Sequence, residues 1–504
     1  MVKTHEIITA TKTVPMERQA LQEAGEALDN ETGGSWVADY VASLATAPDA
    51  PTIIIIDAVR LKLQIDHLRK AFKEVVTHIH LTATREVLTQ RYTDRHSVMS
   101  EVSSYEKVAE DPTEAQVGTL QQHSDIWIDT AENEVEDVVA RVAARLGLYG
   151  RGADRLVDVI VGGQYGSEGK GQIAGFLAPE YDVLVRVGGP NAGHKVYHED
   201  GADTFRSVPS GANRAEHAKL VIGPGAVLRV DVLQKEIAEW GLGVDRLFID
   251  PQAMIVEDWD VEGEDGLKKS IGSTKQGVGF ATARKIFRDK GPIDGAPKVK
   301  LAKDVADLKP YLRPTQEVLE DAYCDGKRIL LEGTQGTALS IHHGSYPYVT
   351  SRDTTASGCL AEAGISPLMV RRVIMVCRTY PIRVAGTSGP MGREIDWGVV
   401  AARSGYSREE LERNERGSVS GTLRRVAEFS WSQLRAAAAL NAPTDIALTF
   451  GDYLSVENQK ARRYDQLHPK TPPFIEEVER VARAPVSLIA VRFDYRSVID
   501  RRHW

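Results

Sequence analysis

An α/β fold with a mostly parallel central sheet, joined to a smaller N-terminal α/β unit, is the architecture the sequence predicts, and three observations predict it. Short apolar runs recur at 156–161, 182–187, 219–222, 247–249, 328–331, 373–377 and 445–450, each bounded by glycine or polar turns, with helix-patterned stretches between them. Strands that read as continuous apolar runs need cover on both faces, as parallel sheets have. The run at 156–161 passes directly into GGQYGSEGKG (162–171) and then a helical pattern, the order of a phosphate-binding turn. Finally, a composition break, GLYGRGAD at 147–154, reads as a linker and divides the chain into domains 1–150 and 151–504.

Composition bounds the function. A chain of 504 residues with 42% hydrophobic and 26% charged residues predicts two or three soluble globular units. A formal charge of −9 argues against a protein that coats nucleic acid, leaving free nucleotides as the better ligands. Cys324, Cys359 and Cys377 have neither disulfide nor metal spacing; they read as buried small hydrophobes in a reducing cytoplasm. The opening MVKTHEIITATK lacks an apolar signal core, and no run reaches membrane-spanning length, so a cytoplasmic location with no membrane partner is expected.

In the first domain the patterns give a helix over 15–28, a buried strand over 52–57, a helix over 61–72 and a strand over 75–81. IIIIDAVR (53–60), ATREVLTQRYTDR (83–95) and the closing strand and helix within 123–148 resemble the back part of a P-loop deoxynucleoside-monophosphate kinase. The opening strand and its glycine-rich loop are missing, so nothing would hold the β and γ phosphates. A degenerate kinase-like domain serving packing, oligomerisation or nucleotide sensing is the expectation. Arg85, Arg91 and Arg95 then read as solvated helix-face charges.

In the second domain, ligands should collect at the carboxyl ends of the strands. That brings GGQYGSEGKG, GGPNAGH (188–194), EGTQGT (332–337) and RTYPIRVAG (378–386) around one crevice. Glycines 162, 163, 166, 169 and 171 let the backbone approach an anion, and Lys170 supplies a charge. The loop is not a Walker A motif, because Gly171 stands where Ser or Thr would follow the lysine.

These segments, with PSG (209–211), IGSTKQGVG (271–279) and EGTQGTALSIHHGSYPYVTSRDTTASG (332–358), resemble the ordered signatures of the adenylosuccinate synthetases. The resemblance runs from residue 156 to about residue 496. It implies a C–N ligase of that family's fold, joining aspartate to C6 of a purine nucleotide with Mg²⁺ and a nucleoside triphosphate. One departure matters most: the family's loop has an acid where this chain has Ser167. A serine there resembles the viral branch that makes 2-aminoadenylosuccinate from dGMP, toward 2-aminoadenine DNA.

The resemblance assigns roles residue by residue. Lys170 meets the phosphoryl charge, His194 donates a hydrogen bond to it, and Ser167 takes the family acid's place; these three are the catalytic candidates. Asn191, Thr274, Gln335 and Thr350 would hold the purine monophosphate with Ser167. Arg288 would come from the partner of a homodimer, with Arg284 close enough to compete. Ser418, Ser420, Gly421 and Arg424 would read aspartate, and Thr422 stands where the family has a further arginine. The triphosphate would lie on Gly166, Glu168, Gly169, Lys170, Gly171, Gly193 and His194, its base beside Phe450 and Asp452. Mg²⁺ would be met by Ser167 and the Gly193 carbonyl. A hydroxyl is a poor base and a weak neutral ligand, which leaves Glu168 as a stand-in base or supporting group. Thr449-Phe450-Gly451-Asp452 replaces the family's T-K-x-D, and AVRF (490–493) its S-T-G-P; both point to ATP or dATP as donor, with Phe450 able to stack on the purine. A conventional synthetase using IMP and GTP is the alternative, and a non-catalytic nucleotide sensor is the alternative of another class.

Overall fold

The computed structural model describes residues 2–47, 53–94, 104–110, 112–149, 154–289, 295–416 and 421–503. The chain divides into two compact units, Met1–Tyr149 and Gly150–Trp504.

The larger unit is built on a nine-stranded sheet. Counted along the chain, its strands are β1 (Val157–Gly162), β2 (Val183–Arg186), β3 (Lys219–Ile222), β4 (Leu247–Ile249), β5 (Ile329–Glu332), β6 (Val370–Arg378), β7 (Asp445–Thr449), β8 (Val486–Ala490) and β9 (Val498–Asp500). They lie in the order β4-β3-β2-β5-β1-β6-β7-β8-β9. Neighbours pair in parallel except β9, which closes the edge antiparallel to β8.

Seven of these strands coincide with the apolar runs read from the sequence; β8 and β9 are additional. Alternation distributes the side chains. Val157, Val159 and Val161 of β1 face one core layer with Val185, Leu331 and Met375. Ile160 faces the other with Leu184, Leu330 and Val376. Each such side chain stabilises the fold by about 1.5–3 kcal/mol when fully buried, which is why the strands read as largely apolar runs; Asp158 within β1 is buried on Tyr181 Oη and Arg371. The chain leaves β1 toward β2, β3 and β4, returns to insert β5 beside β1, and then builds β6, β7 and β8 on the other side. This reversal around β1 opens a crevice at the strands' carboxyl ends.

The smaller unit holds two separate parallel pairs, Val2–Lys3 with Ile56–Asp57 and Ile79–Thr82 with Ile126–Asp129. Its core gathers Ile7, Leu28, Trp36, Val37, Val41 and Leu68, drawn from the helices Thr4–Thr11, Arg18–Thr32, Trp36–Ala45 and Lys62–Phe72. The expected buried strand over 52–57 is corrected here. Only Ile56–Asp57 is strand, residue 52 lies outside the described residues, and Ile53 and Ile55 are more than half exposed. Only a two-residue partner strand covers this run, so its apolar content outlasts its pairing. Val75 likewise sits in an exposed 3-10 turn, and that strand begins at Ile79. Arg91 is not merely solvated: it donates to Thr130 Oγ1 and to the Thr130 carbonyl, both at 2.8 Å. Arg95 lies outside the described residues.

Cys359 and Cys377 are buried as expected, but Cys324, the last residue of the helix Thr315–Cys324, is exposed. Among the described residues no helix is long and apolar enough to cross a membrane.

Candidate active site

The glycine loop between β1 and the helix Lys170–Leu177 wraps around its own acid. Glu168 is fully buried. Its Oε1 accepts from the Gln164 and Gly166 amides at 3.0 and 2.7 Å, and its Oε2 accepts from Lys170 Nζ at 2.6 Å. Lys170 Nζ also donates to the Gly166 carbonyl at 3.0 Å. Gly166 and Gly169 have φ of 96° and 89°, left-handed values that a side chain would strain. A Cβ on Gly171 would stand 2.8 Å from His194 Cβ, so the missing side chain lets the strand bearing His194 close on the helix start. Of the two roles expected of Glu168, stand-in base or supporting group, the geometry agrees with the second: its carboxylate holds the loop together from inside. It is the one residue expected at the triphosphate that does not line the cleft described next.

That cleft, with about 910 Å³ of empty space, lies at the carboxyl ends of β1, β6, β7 and β8. Ser167, half-buried, Lys170, Gly193 and His194 line its phosphate end. His194 Nδ1 lies 2.6 Å from Glu332 Oε1. Glu332 Oε2 accepts from Arg186 NH1 at 3.1 Å and from the Ser210 amide at 2.8 Å. Arg186 also donates to the Ala192 carbonyl at 2.8 Å, which ties down the GGPNAGH loop. Burial opposes the charge on Glu332, but Arg186 and His194 prevail and hold its carboxyl well below the usual range. Burial, then Arg186, push the His194 imidazole down to about 4, against the pull of Glu332. The ring is therefore neutral at physiological pH, its Nδ1–H donating to Glu332. Its buried Nε2 has no hydrogen-bond partner and carries a lone pair. Donation to a phosphoryl oxygen, the role expected of His194, requires a second proton.

The opposite end of the cleft is aromatic. Phe450, Phe493 and Tyr197 form a run of contacts, with ring centroids 5.4 Å apart between Phe450 and Phe493 and 4.8 Å apart between Tyr197 and Phe493. Arg378, at the end of β6, lies with its guanidinium 3.7 Å from the Phe450 ring centroid, donating to the Ser167 carbonyl at 3.2 Å and to Glu415 Oε1 at 2.7 Å. One face of Phe450 therefore carries a guanidinium. Glu415 also accepts from Tyr453 Oη at 2.8 Å and pairs with Arg424 at 3.5 Å. Burial opposes its ionisation, yet Arg378 and Arg424 keep its carboxyl below the ordinary value. Asp452, equally buried, has no cation within ion-pair distance among the described residues; its Oδ2 accepts from Tyr406 Oη at 2.6 Å. Burial pushes its carboxyl up to about 7.

Of the residues expected at the purine monophosphate, Ser167 lines this cleft, whereas Asn191, Thr274, Arg288, Gln335 and Thr350 are not among its walls. Gln335, at φ 64°, donates to Thr350 Oγ1 at 3.0 Å, and its Oε1 is buried without a partner. Asn191 Oδ1 is buried and unpartnered as well. Such orphaned acceptors are costly and call for a ligand or water. Thr274 is half-buried in the loop ahead of the helix Val278–Phe287, and Arg288 caps that helix, exposed. Arg284 no longer competes with it: its guanidinium is buried and pairs with both oxygens of Asp260 at 2.7 Å. Of the aspartate loop, Ser418 and Ser420 lie outside the described residues. Gly421, at φ 65°, accepts from Arg416 through its carbonyl at 3.2 Å, and Arg424 lines the cleft.

A family model described as adenylosuccinate synthetase matches residues 159–293 and 295–459. The chain belongs to the adenylosuccinate synthetase family. Its members are ligases that form a C–N bond between aspartate and a purine nucleotide. The adenylosuccinate synthetase of Methanococcus aeolicus is 37% identical over 354 residues, 68% of this chain and 99% of that one. That of Pyrococcus horikoshii is 36% identical over 355 residues, 68% of this chain and 98% of its own. Among solved structures, the succinoaminodeoxyadenylate synthetase of cyanophage S-2L, bound to dGMP and to dATP as energy donor, is 29% identical. It has a TM-score of 0.56 and covers 69% of this chain and 96% of that one. The fully ligated adenylosuccinate synthetase of Plasmodium falciparum shares the fold at a TM-score of 0.59 and 23% identity, covering 69% of this chain and 100% of its own.

In this member of the adenylosuccinate synthetase family four site residues escaped the sequence reading: Arg186, Glu332, Arg378 and Glu415. Three of them end strands, two of which are otherwise apolar, and an ionisable residue closing a buried strand is the signal available. The donors for a magnesium ion are sparse. Among the described residues no cluster of three His, Cys, Asp or Glu could hold a metal, and Glu168 is committed to its loop. The Ser167 hydroxyl and the Gly193 carbonyl fit Mg²⁺ only as neutral oxygens beside the ligands' own phosphates, a mode in which that ion is commonly bound.

Proposed function

We propose that this synthetase joins aspartate to C6 of dGMP, with ATP or dATP as energy donor, to form 2-amino-2′-deoxyadenylosuccinate, a precursor toward 2-aminoadenine DNA. The observation that carries the reading is the locked acid. With Ser167 lining the cleft and Glu168 folded inward, the loop offers a hydroxyl and no carboxylate. A hydroxyl suits a purine with a 2-amino group, because it can accept from that group or donate elsewhere without a charge to satisfy. The likeness to a cyanophage enzyme bound to dGMP and dATP supports the same branch. The relatives named adenylosuccinate synthetase favour the alternative, IMP with GTP.

The chemistry runs in two stages. The guanine 6-oxygen attacks the γ-phosphorus as the nucleoside diphosphate leaves, and the aspartate amine then displaces phosphate from C6. Once negatively charged phosphates lie beside it, their charge opposes the depression of the His194 imidazole, and its bare Nε2 would then take the N1 proton. As imidazolium, held by Glu332, it then donates to the transferred phosphoryl oxygens. Lys170 supplies fixed positive charge to the same group, and Arg424 offers a fork for the aspartate carboxylate. Mg²⁺, when bound at Ser167 and Gly193, would neutralise phosphate charge. Arg288, which is exposed, would serve the site of a second copy in a homodimer. The smaller unit, whose sequence has no phosphate-binding glycine loop, serves packing, oligomerisation or nucleotide sensing and not kinase catalysis.

The test is product identity by mass spectrometry after incubation with dGMP, aspartate and ATP. The adduct of dGMP and aspartate, with loss of water, is expected. Its absence alongside adenylosuccinate from IMP would establish the conventional reaction.

A further inference from the structure

Two buried acids face the same cleft and are treated differently. Glu415 is flanked by Arg378 and Arg424 and stays ionised, whereas Asp452 has hydroxyl and amide neighbours. Tyr406 Oη donates to Asp452 Oδ2 at 2.6 Å, and Gln459 Nε2 in turn donates to Tyr406 Oη, which fixes the direction of the phenol. Phe450 occupies the place where a lysine could have stood near this carboxyl and gives its face to Arg378. A buried acid without a cation is stabilised by keeping its proton, and a carboxylic acid kept neutral can donate a hydrogen bond as well as accept one.

We infer that Asp452 reads the base of the energy donor as a neutral carboxylic acid, its hydroxyl donating to N1 of an adenine and its carbonyl oxygen accepting from the 6-amino group. Guanine offers hydrogen at both N1 and its 2-amino group, so the neutral acid would meet one donor with another. The ionised form would accept both, so one proton sets the choice of base. The groups around this carboxyl are Tyr406, Gln459 and its own backbone amide, with Arg378 and Tyr453 further off. Burial outweighs them, and the proton is held to about pH 7. The inference rests on placing the donor's base in this cleft and does not depend on which purine accepts the aspartate.

The test is the binding of ATP and of GTP to the full-length protein by calorimetry between about pH 6 and about pH 8.5, with no acceptor purine present. Triphosphate ionisation affects both ligands alike and cancels in their ratio. The ATP-over-GTP ratio should fall by on the order of 300-fold across this range, about thirtyfold from depletion of the neutral form that takes ATP and about tenfold from the rise of the ionised form that takes GTP. Asp452→Asn presents the same donor and acceptor with no proton to lose; it should keep the ATP preference and flatten its pH dependence. A flat ratio in the wild type, or an Asn variant that takes GTP as readily as ATP, overturns the inference. Should neither triphosphate bind, the placement of the donor falls and the inference with it. Turnover of IMP in place of dGMP would refute only the proposed acceptor.

Discussion

At the phosphate end of the cleft, Glu168 has Lys170 at 2.6 Å and Glu332 has Arg186 at 3.1 Å; at the base end, Asp452 has a phenol. The first arrangement holds fixed charge in place where a phosphoryl group must be stabilised as it moves, so that little reorganisation is needed when it arrives. The second holds polar groups with little net charge among aromatic rings, which suits the recognition of a neutral heterocycle. The difference teaches that burial alone does not set an acid's role: a paired buried acid organises cations, and an unpaired one becomes a hydrogen-bonding surface.

Disrupting the ionic end should produce the largest effects. Lys170→Ala and His194→Ala should each lower kcat by on the order of 10²–10³ in a steady-state phosphate-release assay, the loss expected for a preorganised transition-state contact. Wild-type turnover in either variant would break the assignment. Because Lys170→Ala strands a buried carboxylate, it should also cost about 3–5 kcal/mol of stability, and Glu168→Gln combined with Lys170→Met should recover most of that without restoring turnover. Chemical denaturation separates the two effects.

A pH scan sharpens the same comparison. His194 titrates near 6.5 when unfolded and near 4 when folded, so between those values the unfolded chain binds the extra proton. Stability is therefore full above about pH 6.5 and falls toward pH 4, by up to about 3 kcal/mol from this residue. Urea midpoints of wild type and His194→Gln should converge as the pH drops. Parallel curves would mean that the ring is not held neutral.

At the point where the two ends meet, Ser167→Asp is expected to give the smallest change. Restoring an acid should move preference from dGMP toward IMP by about tenfold in kcat/KM, or about 1.4 kcal/mol, and leave the ATP-to-GTP ratio nearly unchanged.

The sequence made the sheet and the glycine loop legible because both are local. Seven apolar runs announce seven strands, and Lys170 stands among its glycines. The run that forms β8, VSLIA, is as apolar as the others but overlaps the AVRF segment, itself a departure from the family's motif. The short β9 is recognisable only as a cover for an edge. What stayed hidden is pairing across the chain. Nothing near residue 194 announces Glu332, and nothing near residue 378 announces Glu415. The two roles open to Glu168 could not be separated in sequence for the same reason: its neighbours suit a site-facing acid as well as a supporting one, and only the curl of the loop turns it inward.

The central claim is tested most directly by the ratio of kcat/KM for dGMP to that for IMP in the wild-type protein, at saturating aspartate and ATP, followed by phosphate release. A ratio well above one is the result expected of a hydroxyl at residue 167 with Glu168 locked in its loop. A preference for IMP would contradict it and make Ser167 a tolerated substitution in a conventional adenylosuccinate synthetase.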